Sequence, residues 1–279
     1  MNMEFSDELK KKVGQSIRLL QSVKTDGPIE VCYSGGKDSD VILELAKMAG
    51  INYRAIYKNT TIDPPGTIKH CKEKGVEILQ PKMRFFEILK NAGFPTRRAR
   101  FCCKYLKEYK VLDCAIQGIR KSESKGREER YKEPIICRIY GAKKNNVQVI
   151  LPILEWTDDD VEEFINVRGI KCHPLYYDEG GIFNVKRRLG CIGCPLKSKQ
   201  IEDFEKYPNL VKAWINAGMV WWNTHPNANS HKKFESIYDL FVHNLFFDSY
   251  AKFREWKYNL IETIDCKKFL EDYFKIKLR

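Results

Sequence analysis

The 279-residue sequence holds no apolar run long enough to cross a bilayer. Its longest, around residues 147–154, falls far short of the roughly 20 residues that a membrane helix needs. The opening "MNMEFSDELKKK" lacks the apolar stretch of a secretion signal, so the expectation is a cytoplasmic chain with no membrane partner. Internal repeats are missing, which sets aside solenoid architectures. Low-complexity segments are missing too. Ten cysteines are too few for a disulfide scaffold in a chain of this size, and in a reducing compartment they point to buried thiols, metal ligands or catalysis.

What the chain does have is 43% apolar residues, enough for a substantial core in one large domain or a domain with a smaller appendage. The formal charge of +12 favours polyanionic partners through phosphate neutralisation, although nucleotide binding alone is compatible with it.

Phe5, Leu9, Val13, Ile17, Leu20 and Val23 recur at three- and four-residue steps across residues 4–24, the apolar stripe of an amphipathic helix. "TDGP" breaks it. "IEVCYS" reads as a buried strand, residues 39–49 as a helix closed by Gly50, and "YRAIYKN" as a second strand. A Pro-Pro pair, a helix ending at Gly75 and the strand "VEILQ" follow. A helix over residues 83–92, a basic loop, a short helix after Cys102 and Cys103, and the run "VLDCAIQGIR" continue the alternation. Strands separated by helices predict an α/β fold with a Rossmann-like, doubly wound parallel sheet. "IICRIYGAKKNNVQVILPI" differs: two β-rich runs flank a polar turn, which predicts a hairpin or a last strand with an excursion. From Trp156 onward the pattern is helical, and "TDDDVEEFINVRG" begins with a Thr cap and acids in the first turn. The expected division is a nucleotide-binding domain over residues 1–155 and a helical region over residues 156–279.

Residues 34–39, "SGGKDS", lie between a strand and a helix. Gly35 and Gly36 let backbone N–H groups approach an anion, and the helix N-terminus adds its positive dipole end. Ser34 and Ser39 offer hydroxyls, Lys37 a cation, and Asp38 an acceptor for a backbone amide or a magnesium ion. The four-residue spacer of the usual phosphate loop is missing. An isolated Gly-Gly pair would be read as a plain tight turn; the full six-residue string between strand and helix points to phosphate.

Cys102 and Cys103 are adjacent in "RFCCKYLK", Cys191 and Cys194 are two residues apart in "LGCIGCPL", and 87 residues lie between the pairs. Together they make a four-thiolate set suited to zinc or an iron–sulfur cluster. Spacing leaves those two comparable, with a redox dithiol at "CIGC" as a third option. Cys32, Cys114 and Cys137 fall in β-like runs and are expected to pack as small apolar side chains, as is Cys172 before its His-Pro turn. Arg97, Arg98 and Arg100 precede the cysteine pair, Arg120, Arg127 and Arg130 lie in the next basic segment, and Lys186, Arg187 and Arg188 run into "LGCIGC". Arginine forks onto phosphate, so these are candidates for a nucleotide or a second polyanion; a solvated loop is the bland reading of any single one. Trp214, Trp221, Trp222, Phe241, Phe246 and Phe247 are expected to fill the core of the helical region.

Taken with its neighbours, "SGGKDS" resembles the PP-loop signature of the adenine nucleotide alpha-hydrolase (HUP-type) superfamily. "NTTIDPP", "GIRKSESKGRE" and "PILEWTDDDVEEFINVRGIKCHPLYYDEG" resemble segments of the phosphoadenosine phosphosulfate (PAPS) reductase family, over roughly residues 28–198. The resemblance implies ATP or an adenylyl sulfate at the carboxyl ends of the strands, with Thr60, Gly118 and Arg120 joining residues 34–39 around it. Adjacent cysteines followed by a distant Cys-x-x-Cys resemble the [4Fe-4S] pattern of the adenylyl sulfate reductase branch, which implies a cluster on Cys102, Cys103, Cys191 and Cys194.

Three functions follow from that resemblance. The first is an ATP pyrophosphatase in which Lys37, Asp38 and Ser39, with Mg2+, activate a substrate as an adenylate for sulfur transfer. Its acceptor would be DNA or transfer RNA, with a cysteine-desulfurase-type donor as partner; a homo-oligomer is compatible. The second is an adenylyl sulfate or PAPS reductase, whose mobile thiol lies in a Glu-Cys-Gly-Leu/Ile-His type of motif near the C-terminus. Only Cys266, in "TIDCKKF", follows Cys194, and it lacks the flanking glutamate, glycine and histidine. The third is a non-catalytic nucleotide-sensing scaffold.

Overall fold

A computed structural model describes residues 4–140, 145–259 and 262–278. The chain divides into two compact units: Met1–Asn59, Asp63–Pro81 and Leu106–Gly190 form the first, and Thr60–Ile62, Lys82–Tyr105 and Cys191–Arg279 the second. The two units alternate along the chain, their last boundary lying after Gly190 where the sequence predicts a division at residue 155, and the segment bearing Cys102 and Cys103 joins the C-terminal helices. Local periodicity identifies a helix but not the unit against which it packs.

The first unit holds a six-stranded sheet in the order β3-β2-β1-β4-β6-β5. Its strands are β1 (Ile29–Tyr33), β2 (Tyr53–Lys58), β3 (Glu77–Leu79), β4 (Cys114–Ile116), β5 (Ile135–Tyr140) and β6 (Asn145–Ile150). Five strands are parallel, and β5 runs antiparallel to β6 with Ile135 opposite Ile150. The predicted hairpin is thus present; its turn, residues 141–144, lies outside the described residues. On edge strand β5, Cys137 is exposed, which corrects its expected packing, because alternation along a strand does not reveal which strand closes the sheet. Cys114 and Cys172 are buried as expected, and Cys32 is half-buried.

This unit also contains α1 (Asp7–Ser22), α2 (Lys37–Ala49), α3 (Thr67–Glu73), α6 (Lys125–Arg130) and α7 (Asp158–Arg168). Leu9, Val13 and Leu20 form the buried stripe of α1. In α7 the predicted Thr157 cap is a full capping box with Asp160, and Lys12 of α1 binds the same carboxylate at 2.8 Å. Val31, Val41, Leu45, Ile116, Ile150 and Phe164 belong to the continuous core between sheet and helices. Strand order reverses between β1 and β4, and the crevice at the carboxyl ends of such strands is where open α/β sheets bind ligands. "SGGKDS" leaves β1 at that point.

The second unit is helical: α4 (Phe85–Ala92), most of α5 (Phe101–Leu106), α8 (Gln200–Lys206), α9 (Pro208–Thr224), α10 (Ile237–Phe246), α11 (Tyr250–Lys257) and α12 (Cys266–Phe274). Cys102 and Cys103 lie within α5 rather than ahead of it. Phe85, Phe94, Phe204, Trp214 and Phe241 are buried, with Trp214 5.0 Å from Phe85 and 5.4 Å from Phe204 between ring centroids. Trp221, Trp222, Phe246 and Phe247 are only half-buried, so the expected aromatic core is smaller than the composition suggested. No described helix is long and apolar enough to cross a membrane.

Candidate active site

The glycine turn is built by the strand it leaves and the helix it starts. Tyr33 ends β1 inside the core and Lys37 begins α2, so residues 34–36 must reverse the chain within three positions. Gly35 does so at φ +79°, a conformation that L side chains adopt only with strain. Ser39 closes the turn by donating its hydroxyl to the Gly36 carbonyl at 2.6 Å, and Ser34, an exposed residue, accepts the Gly36 N–H at 3.4 Å.

Lys37 is 3% exposed and its ammonium lies 3.1 Å from Asp38. The other oxygen of Asp38 accepts from Arg120 Nε at 2.8 Å. Arg120, one of the residues expected around the ligand, is 1% exposed, with its remaining donors on Asp158 at 2.7 Å and Ser122 at 3.0 Å. A guanidinium so occupied fixes Asp38 at the mouth of the turn. Gly118 lies against the Asp38 backbone, where a Cβ would come within 2.9 Å of its carbonyl. Beneath the turn, Tyr33 and His70 both bind Asp40, the latter at 3.2 Å, in a buried polar network that the sequence did not signal.

Basic residues of this unit are mostly engaged. Arg127 and Arg188 both pair with Glu123, and Arg187 donates to the Leu175 and Tyr177 carbonyls. Burial, then the nearby charge of Arg188, lowers the pKa of Arg127. Arg130 and Lys186 are exposed and have no side-chain partner among the described residues.

Cys102, Cys103, Cys191 and Cys194 all belong to the second unit. The pKa of Cys102 is raised, first by its hydrogen bond with Cys103, then by burial, then by the charges of Cys103, Cys191 and Cys194. Cys191 donates to the hydroxyl of Thr60, one of the residues expected around the nucleotide, at 3.6 Å. Several bonds hold the Cys191–Cys194 loop. Asp203 accepts from the Gly193 N–H at 2.7 Å and from Lys197 at 2.7 Å, and Gln200 donates to the Gly193 carbonyl at 2.6 Å. Arg97, a polyanion candidate, donates to the Pro195 carbonyl at 3.0 Å and so ties the two cysteine segments together. Arg98 and Arg100 stay exposed, with no side-chain partner among the described residues.

Gly193 stands at φ +69°, with Phe204 and Trp214 so near that a Cβ would meet them at 2.6 and 2.8 Å. The Trp214 indole nitrogen is buried with no hydrogen-bond partner among the described residues. Also among the described residues, no three His, Cys, Asp or Glu side chains are arranged to hold a metal ion. Cys266 is the first residue of α12, 3% exposed, and burial, followed by its hydrogen bond with Asp239, raises its pKa.

A family profile described as the phosphoadenosine phosphosulfate reductase domain matches residues 28–197. An uncharacterized protein of Methanocaldococcus jannaschii is 32% identical over 204 residues, covering 67% of this chain and 47% of that protein. An uncharacterized 37.8 kDa protein of Escherichia phage 186 is 30% identical over 158 residues, covering 50% and 43%. Sulfate adenylyltransferase subunit 2 of Sulfurimonas denitrificans is 25% identical over 212 residues, covering 61% and 67%. The chain spans less than half the length of the first two of these relatives. Among solved structures, the PAPS reductase of Candida auris in its phosphate complex is 15% identical, covering 68% of this chain and 98% of that one at a TM-score of 0.45. The U34-tRNA thiolase NcsA of Methanococcus maripaludis with its [4Fe-4S] cluster is 17% identical, covering 81% and 83% at a TM-score of 0.43.

Proposed function

The chain belongs to the phosphoadenosine phosphosulfate reductase domain family, and from that premise we propose that it is an ATP pyrophosphatase that activates a substrate as its adenylate for sulfur transfer. The observation that carries this reading is the cation at the glycine turn: Lys37, 3% exposed at the start of α2, sits among backbone amides suited to an oxyanion. The β- and γ-phosphates of ATP would rest on residues 34–39. A substrate oxygen would attack the α-phosphorus, pyrophosphate would leave with its charge held by Lys37 and the α2 amides, and a sulfur nucleophile would then displace AMP. Asp38, fixed by Arg120, would be the carboxylate nearest to the magnesium that accompanies ATP and neutralises its phosphate oxygens.

Cys102, Cys103, Cys191 and Cys194 would hold a [4Fe-4S] cluster. All four are thiols of one unit, the Gly193 loop is fastened at both its N–H and its carbonyl, and the unsatisfied Trp214 N–H is a donor of the kind that a sulfur-rich group accepts. Bound there, the cluster would supply an iron able to take sulfur or an electron. The acceptor would be nucleic acid, DNA or transfer RNA, contacted through uncommitted cations such as Arg98 and Arg100, and the donor a cysteine-desulfurase-type protein.

The buried place of Cys266 in α12 supports this reading over reduction, which requires a mobile thiol. The test is an anaerobic assay with ATP, adenylyl sulfate and PAPS side by side. Release of pyrophosphate and AMP from ATP, abolished by Lys37→Ala, is the expected result; sulfite release from either sulfate with thioredoxin would instead establish the reductase.

A further inference from the structure

Tyr176 lies far along the chain from the glycine turn, in a short turn of helix at Pro174–Tyr176, and its hydroxyl reaches that turn. The phenolic oxygen lies 3.2 Å from the point that a Cβ on Gly36 would occupy, and the Ser34 hydroxyl lies 3.4 Å from the same point. The two hydroxyls therefore border one face of the turn, and a side chain at position 36 would crowd both of them. The Lys37 ammonium stands 5.7 Å from the centre of the Tyr176 ring.

The hydrogen bonds of this phenol have a direction. Its oxygen accepts the Leu189 N–H at 3.3 Å. With its oxygen engaged as the acceptor of that amide, the group still has its own O–H to donate. The side chain is 2% exposed, and among the described residues nothing accepts that proton. A buried hydroxyl proton without an acceptor costs free energy that a ligand oxygen would recover.

We propose that Tyr176 is a ligand-binding residue of the glycine turn, donating its O–H to an oxyanion oxygen held by residues 34–39. This rests on the reading that the turn holds the phosphate end of a nucleotide, and it adds a neutral donor to the cation at Lys37. Burial, foremost among its surroundings, raises the pKa of the phenol, so the proton stays in place throughout the physiological range. On departing pyrophosphate the bond would strengthen as charge accumulates on the leaving oxygens.

The experiment measures binding of inorganic pyrophosphate and of ATP to three proteins: the unaltered chain, Tyr176→Phe, and a chain carrying 3-fluorotyrosine at position 176. Phenylalanine keeps the ring in the core and removes the donor, so pyrophosphate affinity should fall about tenfold or more, as a lost charge-assisted hydrogen bond requires. Fluorine makes the phenol more acidic and a better donor, so the fluorotyrosine protein should bind pyrophosphate more tightly than the unaltered chain. A residue that merely braced the turn would not produce these opposite signs. Unaltered pyrophosphate affinity in a folded Tyr176→Phe, or no tightening with fluorotyrosine, would overturn the proposal while leaving the turn's role intact. If the phenylalanine variant does not fold, the fluorotyrosine comparison alone decides. Failure of the unaltered chain to bind either pyrophosphate or ATP would remove both the proposal and the reading beneath it.

Discussion

Replacing Gly193 with alanine adds one methyl group, and the structure fixes where it must go. Gly193 holds φ at +69°, and the new carbon would stand 2.6 Å from Phe204 and 2.8 Å from Trp214, rings that are 0% and 2% exposed. Ordinary carbon contacts begin near 3.5 Å, so about a full ångström must be absorbed in a close-packed interior. The left-handed backbone costs alanine about 1–2 kcal/mol, and overpacking a core typically costs another 1–3 kcal/mol. The loop cannot swing outward freely, because Asp203 and Gln200 hold Gly193 at both its N–H and its carbonyl. The expected loss is therefore about 2–5 kcal/mol, read from urea denaturation followed by tryptophan fluorescence. Gly126→Ala is the matched control: it lies in a helix, a Cβ there meets nothing within 4 Å, and it should stabilise slightly. If Gly193→Ala lost less than about 1 kcal/mol, the loop would not be seated against those rings, and the account of the thiol site would fail with it.

Three further outcomes are expected. Arg120→Met leaves Asp38 with Lys37 alone and should lose about 3 kcal/mol, the low end for a broken buried pair because Asp158 is half exposed; an unchanged urea midpoint would show that the guanidinium is dispensable. In Asp160, burial favours the neutral acid but is outweighed by hydrogen bonds from Lys12 and Thr157, so its folded pKa lies below the ordinary value. The unfolded state then binds the extra proton, so this stabilisation is fully present above about pH 4 and is lost as pH falls through the folded value; Asp160→Asn should flatten the acid limb of a stability–pH profile, and an identical limb would refute the assignment. If nucleic acid is the acceptor, exchanging both Arg98 and Arg100 for alanine should reduce the slope of log affinity against log salt by about 2, whereas salt-insensitive binding in the unaltered chain would remove the polyanion.

Features written in neighbouring residues were legible in the sequence. The Thr157 cap and Asp160 lie three positions apart, "SGGKDS" is one string between a strand and a helix, and each cysteine pair is local. The tasks of the arginines were not legible, because their partners come from far along the chain: Arg120 meets Asp38 and Asp158, Arg188 meets Glu123, and Arg97 meets the Pro195 carbonyl. Sequence pattern marks a cation as available, and only the fold reveals which cations are already occupied. Tyr176 was visible only as part of a longer resemblance, since nothing in "PLYY" announces a reach back to Gly36. Asp203 carried no signal at all; an acid in a charged helix is ordinary until a glycine N–H is found against it.

The thiol-bearing unit is stitched from three separate stretches of chain, and this sets a timetable for its birth on the ribosome. Cys102 and Cys103 emerge first, and 87 more residues must be added before Cys191 follows, a wait of roughly 4–17 s at ordinary translation speeds. Throughout that interval the nascent polypeptide carries two adjacent sulfurs while the second cysteine pair of the same unit has still to be made.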